Sequence, residues 1–306
     1  YVVRNIVSTP RFLDPSLMSS CSVSIEYLFS VFVRSLPVLL SFILFGACHA
    51  QPALHAPYLF DAPDDSFVLP DILKEISGLG MFPDGTLAAI QDENGILFRI
   101  DDRTGNILED IRFGLDRDYE GVEIADRTAW VLESDGDLFY FPLDDPGNLS
   151  RIPTGLSRKH NTEGLGRDLD GHLLIAAKNY PGRDYDTDHE RTIWSFNPES
   201  GYMSSRARYV IDEQAVDPEG EEKKRIEDVN PSAVAVHPFT GHLYVLSTKK
   251  NELYVLTREM SLVERVEFDL EGMVQPEGIV FSDAGTLFIS SEGHDLPAHI
   301  FVFHQR

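Results

Sequence analysis

From residue 66 to the C-terminus the hydrophobic positions fall into short runs, each bounded by Gly, Asp, Asn or Thr. Leu87-Ala88-Ala89-Ile90 follows Asp84-Gly85, and Ala129-Trp130-Val131-Leu132 follows Asp126-Arg127. Leu173-Leu174-Ile175 follows Asp170-Gly171, Leu243-Tyr244-Val245-Leu246 follows Thr240-Gly241, and Leu287-Phe288-Ile289 follows Ala284-Gly285. A further run arrives each time: Ile96-Leu97-Phe98, Leu138-Phe139-Tyr140, Ile193-Trp194-Ser195-Phe196, Leu253-Tyr254-Val255-Leu256 and Ile300-Phe301-Val302-Phe303. Most units add another, such as Ile107 to Phe113 and Leu262 to Phe268. Aromatic and β-branched runs closed by turn residues predict strands. A sustained 3.6-residue period, the mark of an amphipathic helix, is missing.

The units are copies of one another. Glu75-Ile76-Ser77-Gly78-Leu79, Asp118-Tyr119-Glu120-Gly121-Val122, Asn161-Thr162-Glu163-Gly164-Leu165, Asn230-Pro231-Ser232-Ala233-Val234 and Gln275-Pro276-Glu277-Gly278-Ile279 can be superposed. Their Gly or Ala anchors are 43, 43, 69 and 45 residues apart. A period in the forties with four strands per unit predicts an all-β, β-propeller architecture. Five blades of four strands are expected, with six as the alternative. The last unit ends after its third run at Phe303, so an N-terminal strand is expected to close the ring, around Tyr58-Leu59-Phe60 or Phe67-Val68-Leu69. In the 69-residue interval, Asp212 to Asp228 is mostly charged and reads as an exposed insertion.

The residues before the propeller read as an address. The chain opens on Tyr1, so residues 1–17 read as an upstream extension ahead of Met18. The apolar run Leu36 to Ala47 is too short to span a bilayer as a helix and fits the apolar region of a signal peptide over 18–47. It ends Gly46-Ala47-Cys48, which resembles a bacterial lipobox with Cys48 as the lipidated residue; cleavage after Ala50 is the alternative. Residues 48–65, rich in Pro, Ala and Asp, read as a tether to a single propeller domain over 66–306. The expected location is the bacterial cell envelope, as a lipoprotein anchored by its lipid or by an uncleaved signal, with a soluble periplasmic protein as the alternative.

Charge narrows the partners. Asp and Glu number 50 against 26 Lys and Arg, a net charge of −24. Nucleic acid is excluded by that balance, because phosphate binding requires cations on the protein. Divalent cations suit this surface better. Two cysteines support neither a disulfide scaffold nor a cysteine-rich zinc module.

Two polar columns precede the anchors. Three residues back stand Glu75, Asp118, Asn161, Asn230 and Gln275; one residue back stand Ser77, Glu120, Glu163, Ser232 and Glu277. Positions two apart share a face of an extended strand, so the columns are expected to form rings at one mouth of the central channel. Carboxylate and amide oxygens suit Ca²⁺ or Mg²⁺ rather than zinc. The expected metal ligands are Glu75, Asp118, Glu120, Asn161, Glu163, Asn230 and Glu277, with Ca²⁺ as the cation; polar residues that only cap loops are the bland alternative. A second set after the second strands, Asp92, Glu93, Asp135, Lys178, Lys249 and Glu292, is expected to enlarge the site together with Gln275. Asp184 to Glu190 resembles a calcium loop but has His189 where the EF-hand needs glycine and Ser195 where it needs glutamate, so it reads as a solvated acidic loop. Neither His-Glu-x-x-His nor Gly-x-Ser-x-Gly occurs.

Taken in order, Leu73 to Leu79, Gln91 to Gly95, Asp118 to Gly121, Ser134 to Leu138, Asn161 to Leu165, Ala176 to Lys178, Leu246-Ser247 and Gln275 to Ile279 resemble the SdiA-regulated, YjiK-like family of envelope β-propellers. That resemblance implies a propeller at the inner membrane or in the periplasm that binds calcium. The fourth repeat departs from the pattern, with Ser232-Ala233 in place of Glu-Gly. The leading functional expectation is a non-enzymatic propeller that binds a divalent cation and a small ligand or envelope protein at one mouth. The alternatives are a Ca²⁺-dependent hydrolase, a lactonase or phytase-like phosphoesterase using the same mouth, and a pure scaffold.

Overall fold

The computed structural model describes residues 55–218 and 226–306. Its strands form five antiparallel sheets. Strand β1 (Asp65–Val68) comes first. Blade 1 is β2 (Ile76–Met81), β3 (Leu87–Gln91), β4 (Ile96–Ile100) and β5 (Ile107–Arg112). Blade 2 is β6 (Tyr119–Ala125), β7 (Thr128–Glu133), β8 (Leu138–Pro142) and β9 (Ser150–Ile152). Blade 3 is β10 (Thr162–Arg167), β11 (Leu173–Ala177), β12 (Glu190–Asn197), β13 (Tyr202–Met203) and β14 (Tyr209–Asp212). Blade 4 is β15 (Pro231–Val236), β16 (Leu243–Ser247), β17 (Glu252–Leu256) and β18 (Leu262–Glu267). Blade 5 is β19 (Gln275–Phe281), β20 (Leu287–Glu292) and β21 (His299–Phe303), completed by β1.

The protein is a five-bladed β-propeller. The first strands β2, β6, β10, β15 and β19 neighbour one another in a ring around the axis. Five apolar clusters lie between successive blades, each fed by the facing sides of two sheets. Both faces of a blade are therefore buried, which is why β3, β11, β16 and β17 are buried along their whole length and read as unbroken apolar runs.

The ring closes through the N-terminus. Asp65, Ser66, Phe67 and Val68 pair antiparallel with Val302, Phe301, Ile300 and His299. This satisfies the outer edge of β21 and joins the two ends of the propeller. Of the two segments expected to do this, the one containing Phe67 makes the strand. Tyr58 and Phe60 instead pack inward. The Tyr58 hydroxyl donates to the Gly285 carbonyl at 2.7 Å, and the Phe60 ring lies 5.7 Å from that of Phe303. Residues 55–64 are thus part of the domain, and the tether reading fails for them because their aromatic side chains cover the apolar cluster between blades 4 and 5.

The long third interval holds no sixth blade. Part of its excess lies in the β11–β12 connection, and part lies in an outer position shared by β13 and β14, both paired with β12. A short helix α1 (Glu213–Val216) follows, capped by the Asp212 carboxylate, which accepts from the Ala215 amide. The segment read as an exposed insertion is partly buried: Ala215, Val216 and Ile226, with Val229 just after it, lie in the cluster between blades 3 and 4. Among its described charges Asp212 is exposed, while Glu213, Asp217 and Asp228 are half-buried. Cys48 and the whole signal-like segment lie outside the described residues. Among the described residues no helix is long and apolar enough to cross a membrane.

The repeat anchors are small because the inner strands nearly touch. A Cβ added at the anchor Gly121 would stand 2.6 Å from Leu165 Cβ, and one at Gly166, two residues after the anchor Gly164, would overlap the Val234 carbonyl oxygen. Backbone cannot move aside as a flexible side chain can. Gly166→Ala is expected to destabilise the fold by about 2–3 kcal/mol, as forced overpacking does. A chemical denaturation midpoint equal to that of the unmodified chain would show that β10 and β15 separate without cost.

Candidate functional site

In every blade the first strand carries a β-bulge at the residue just before the anchor. Pairing jumps from Ile76–Gln91 to Gly78–Ile90, from Tyr119–Glu133 to Gly121–Leu132, and from Thr162–Ala177 to Gly164–Ala176. It jumps likewise from Pro231–Ser247 to Ala233–Leu246 and from Pro276–Ser291 to Gly278–Ser290. The extra residues are Ser77, Glu120, Glu163, Ser232 and Glu277, the second polar column. A bulge leaves its residue out of the ladder and re-aims its side chain. Simple strand alternation, the expected cause of the ring, is therefore replaced by a repeated bulge.

The five bulge residues divide into two jobs. The two serines tie blades together: Ser77 Oγ donates to the Tyr119 carbonyl at 2.8 Å, and Ser232 Oγ donates to the Pro276 carbonyl at 2.7 Å. The three glutamates converge on the axis. With Glu75, Ser77, Asp92, Lys178, Gln275 and Glu292 they line a cavity of about 170 Å³. Six carboxyl groups thus surround one ammonium group.

Hydrogen bonds organise part of this set. Lys178 Nζ stands 2.7 Å from Glu163 Oε2, and Asn161 Nδ2 donates to Glu163 Oε1 at 2.8 Å. Gln275 Nε2 donates to Glu277 Oε1 at 2.5 Å and to Glu292 Oε2 at 2.9 Å. His294 Nε2 lies 2.8 Å from Gln275 Oε1, and its Nδ1 lies 3.4 Å from Glu292 Oε1. Asp92 Oδ1 is buried with no hydrogen-bond partner.

Burial and crowding dominate the electrostatics. Burial pushes the Glu120 carboxyl up to about 9, with Glu163, Asp118 and Glu277 adding to it and Lys178 pulling it down. Burial raises Asp92 to about 6, reinforced by Glu75, Glu93, Glu292 and Asp118. Glu163 and Glu277 are raised by burial as well, against the opposing pull of Lys178. Glu292 moves up for the same first reason, with His294 and Lys178 opposing. For Lys178, burial disfavours the charge, but Glu163, Glu277 and Glu120 outweigh it and hold its pKa above the ordinary value.

The expected ligands do not all meet. Glu75, Glu120, Glu163 and Glu277 line the cavity, as do Asp92, Lys178, Gln275 and Glu292. Asp118 stands behind the ring, accepting a short hydrogen bond from Ser134 Oγ. Asn161 acts on Glu163 and does not line the cavity. Asn230 is outside the cavity lining, and its backbone N–H donates to Ser247 Oγ at 3.0 Å. Asp135 lies 3.6 Å from the Arg151 guanidinium, Lys249 is paired with Asp228 at 2.7 Å, and Glu93 is exposed, so these three do not line it either. His294 was missed, because a lone histidine two residues after Glu292 has no repeat partner in the other blades.

The oxygen-only donor set fits a hard cation. Among the described residues, no group of three His, Cys, Asp or Glu side chains already stands in ligating positions. The carboxyls are close enough to shift one another's protonation but are not gathered into a coordination sphere.

The sequence profile of the SdiA-regulated family matches residues 61–304. The chain belongs to the SdiA-regulated family. No curated protein sequence matches it. Among solved structures it is similar to Myxococcus xanthus glutaminyl cyclase, with 12% identity and TM-score 0.55 over 80% of this chain and 97% of that one. It is also similar to a streptogramin B lyase, with 15% identity and TM-score 0.43 over 74% of this chain. The match spans 65% of that lyase, short of two thirds of its length. A PQQ-bound aldose sugar dehydrogenase from Streptomyces coelicolor matches with 13% identity and TM-score 0.45, over 80% of this chain and 100% of that one. At these identities the likeness is one of fold, and propellers host many unrelated functions.

Proposed function

We propose that this member of the SdiA-regulated family is an envelope protein that binds a divalent cation, Ca²⁺ first, at the acidic mouth, together with a small ligand or a partner protein. The observation that carries this reading is the cavity itself, in which six carboxyls face one lysine and Asp92 Oδ1 is buried without a partner. A cation would offset the burial, and with it the neighbouring carboxyls, that raise Glu120 and Asp92 above their ordinary values. Glu120, Glu163 and Glu277 would hold it from the bulges, and Asp92 and Glu292 from the second-strand ends. Placement in the envelope rests on the apolar run before Cys48.

A melt of residues 51–306 in chelator, followed by Ca²⁺ and Mg²⁺ titration, tests this. Ligand at one hundred times its dissociation constant stabilises by about 2.7 kcal/mol. The expected result is a saturable rise in the midpoint with Ca²⁺ that disappears in the Glu120→Gln, Glu163→Gln double variant. An unmoved midpoint, or a rise that survives both substitutions, removes the ring from consideration. A second reading, a cation-dependent ester hydrolase, is favoured by Asp92 alone: its pKa of about 6 and its unpartnered oxygen suit a general base near neutral pH. The cavity lining contains no arginine, which weighs against phosphate esters and favours lactones as the first substrates to try.

A further inference from the structure

The opposite mouth is the larger concavity. The inner strands end there in five hairpin turns, which enclose a bowl of about 990 Å³. That volume is at the upper end of the range for small-molecule sites, roughly 300–1,000 Å³. The walls mix charged side chains with apolar ones, among them Phe82, Ile124, Val236 and Phe281. Leu169 on the same lining is 59% exposed, and Phe239, beside the lining residue Pro238, is 63% exposed. Large exposed side chains set around a concavity mark a binding surface more often than scattered ones do.

Four charges on this lining have no ion-pair partner among the described residues: Glu123, Asp126, Asp283 and the single cation Arg167. Glu123 on β6 is partly buried, and Arg167 ends the neighbouring inner strand β10 and is exposed. They feel each other electrostatically, yet they form no ion pair. Three other charges of the lining are engaged elsewhere. Asp84 pairs with Arg99, Arg127 with Asp144, and Asp168 with Arg208 and Arg258. Asp126 and Asp283 stand exposed on the rim. A carboxylate and the one unpaired guanidinium, set on neighbouring inner strands beside apolar side chains, complement a molecule that carries an ammonium group, a carboxylate and an apolar body between them.

We propose that this bowl binds a short apolar peptide, its ammonium against Glu123 and its carboxylate against Arg167. The site is separate from the acidic mouth and does not depend on the cation reading.

Calorimetry with the dipeptide Leu-Phe on residues 51–306 tests it, beside the N-acetylated and C-amidated forms. The expected result is saturable binding of Leu-Phe, with each blocked form at least about tenfold weaker, which is about 1.4 kcal/mol. Glu123→Gln should abolish the discrimination against the acetylated peptide and leave that against the amide. Arg167→Gln should do the reverse. Both sites are exposed or partly buried, and a melt confirms that the variants fold. No binding at about 10 mM, or equal binding of free and blocked peptides by the unmodified chain, overturns the proposal without recourse to any variant. Binding that ignores both substitutions places the peptide elsewhere and overturns it as well.

Discussion

Replacing Asp168 by alanine is expected to lower stability by about 3 kcal/mol, the low end of what removing one partner of a buried ion pair costs. The Asp168 side chain is fully buried at the end of β10. Arg258 Nη1 and Nη2 donate to its two oxygens at 2.7 and 2.8 Å, a bidentate pair reaching across from blade 4. Arg208 Nη2 stands 2.8 Å from Oδ2, the Tyr209 hydroxyl donates to Oδ2 at 3.2 Å, and the Leu169 amide donates to Oδ1 at 2.7 Å. Both guanidinium groups also lie over the Tyr209 ring, at 5.7 and 5.6 Å from its centroid. Alanine would remove the shared acceptor and leave two like charges side by side. The arginines are 25% and 33% exposed, so water recovers part of the loss, which sets the estimate at the low end of the range. In a domain of this size the thermal midpoint should fall by roughly 6–12 °C. Arg258→Ala should cost less, about 1–2 kcal/mol, because Arg208 still neutralises the carboxylate. If Asp168→Ala melts with the unmodified protein, the clamp between blades 3 and 4 contributes nothing net.

The second large effect is a loss of stability with rising pH in the absence of a divalent cation. Glu120 is held up near 9 by burial, and Glu163, Glu277 and Glu292 are also raised above their ordinary values. A carboxyl whose folded pKa exceeds its unfolded value keeps its proton after the unfolded chain has released it. The folded state then binds more protons, so stability is greatest below the unfolded pKa and is lost as pH rises through the folded one. Glu123, pushed by burial to about 7, adds to the same slope. The depressed histidines His160, His237 and His242 act in the opposite direction, but only below about pH 6.5, where the unfolded histidines take up protons. The clean window is therefore pH 6.5 to 9. Across it, the chain in chelator should lose on the order of 3 kcal/mol. Glu120→Gln should remove much of that slope and raise the midpoint at pH 8.5, because an isosteric amide has no charge to desolvate. Ca²⁺ should reverse the slope in the unmodified chain and have little effect on the variant. Melts at four pH values, with and without chelator, check this. A flat profile would mean that the carboxyls ionise without penalty, and the acidic mouth would then be an open, hydrated surface.

The blade count, the strand runs and the ring closure were legible in the sequence, because each rests on local chemistry repeated five times. Turn residues stop strands, apolar runs fill the gaps between blades, and a unit one strand short requires its missing strand from elsewhere. The convergence of Glu75, Glu120, Glu163 and Glu277 was legible for the same reason, since equivalent positions around a closed ring must meet at its axis. Other features were not. That the Gly and Ala anchors exist to let backbones approach, as Gly78 and Gly121 do, depends on the spacing between strands far apart in the chain. That Ser77 and Ser232 bond to neighbouring blades while the three glutamates turn to the axis depends on a bulge, which is a property of pairing with the next strand. Asn230, Asp135 and Lys249 share the repeat pattern, yet none lines the cavity, and Asp135 and Lys249 are engaged by Arg151 and Asp228.

By itself, then, the sequence determined a five-fold all-β repeat closed by its N-terminal strand and a mouth rich in carboxyl oxygen, since period and composition do not depend on how blades pack. Only the tertiary structure decided which of those oxygens share one 170 Å³ cavity, how far burial shifts their protonation, and that Glu123 and Arg167 line a second bowl at the other end of the axis. Those properties arise from desolvation and distance between residues brought together only when the ring closes.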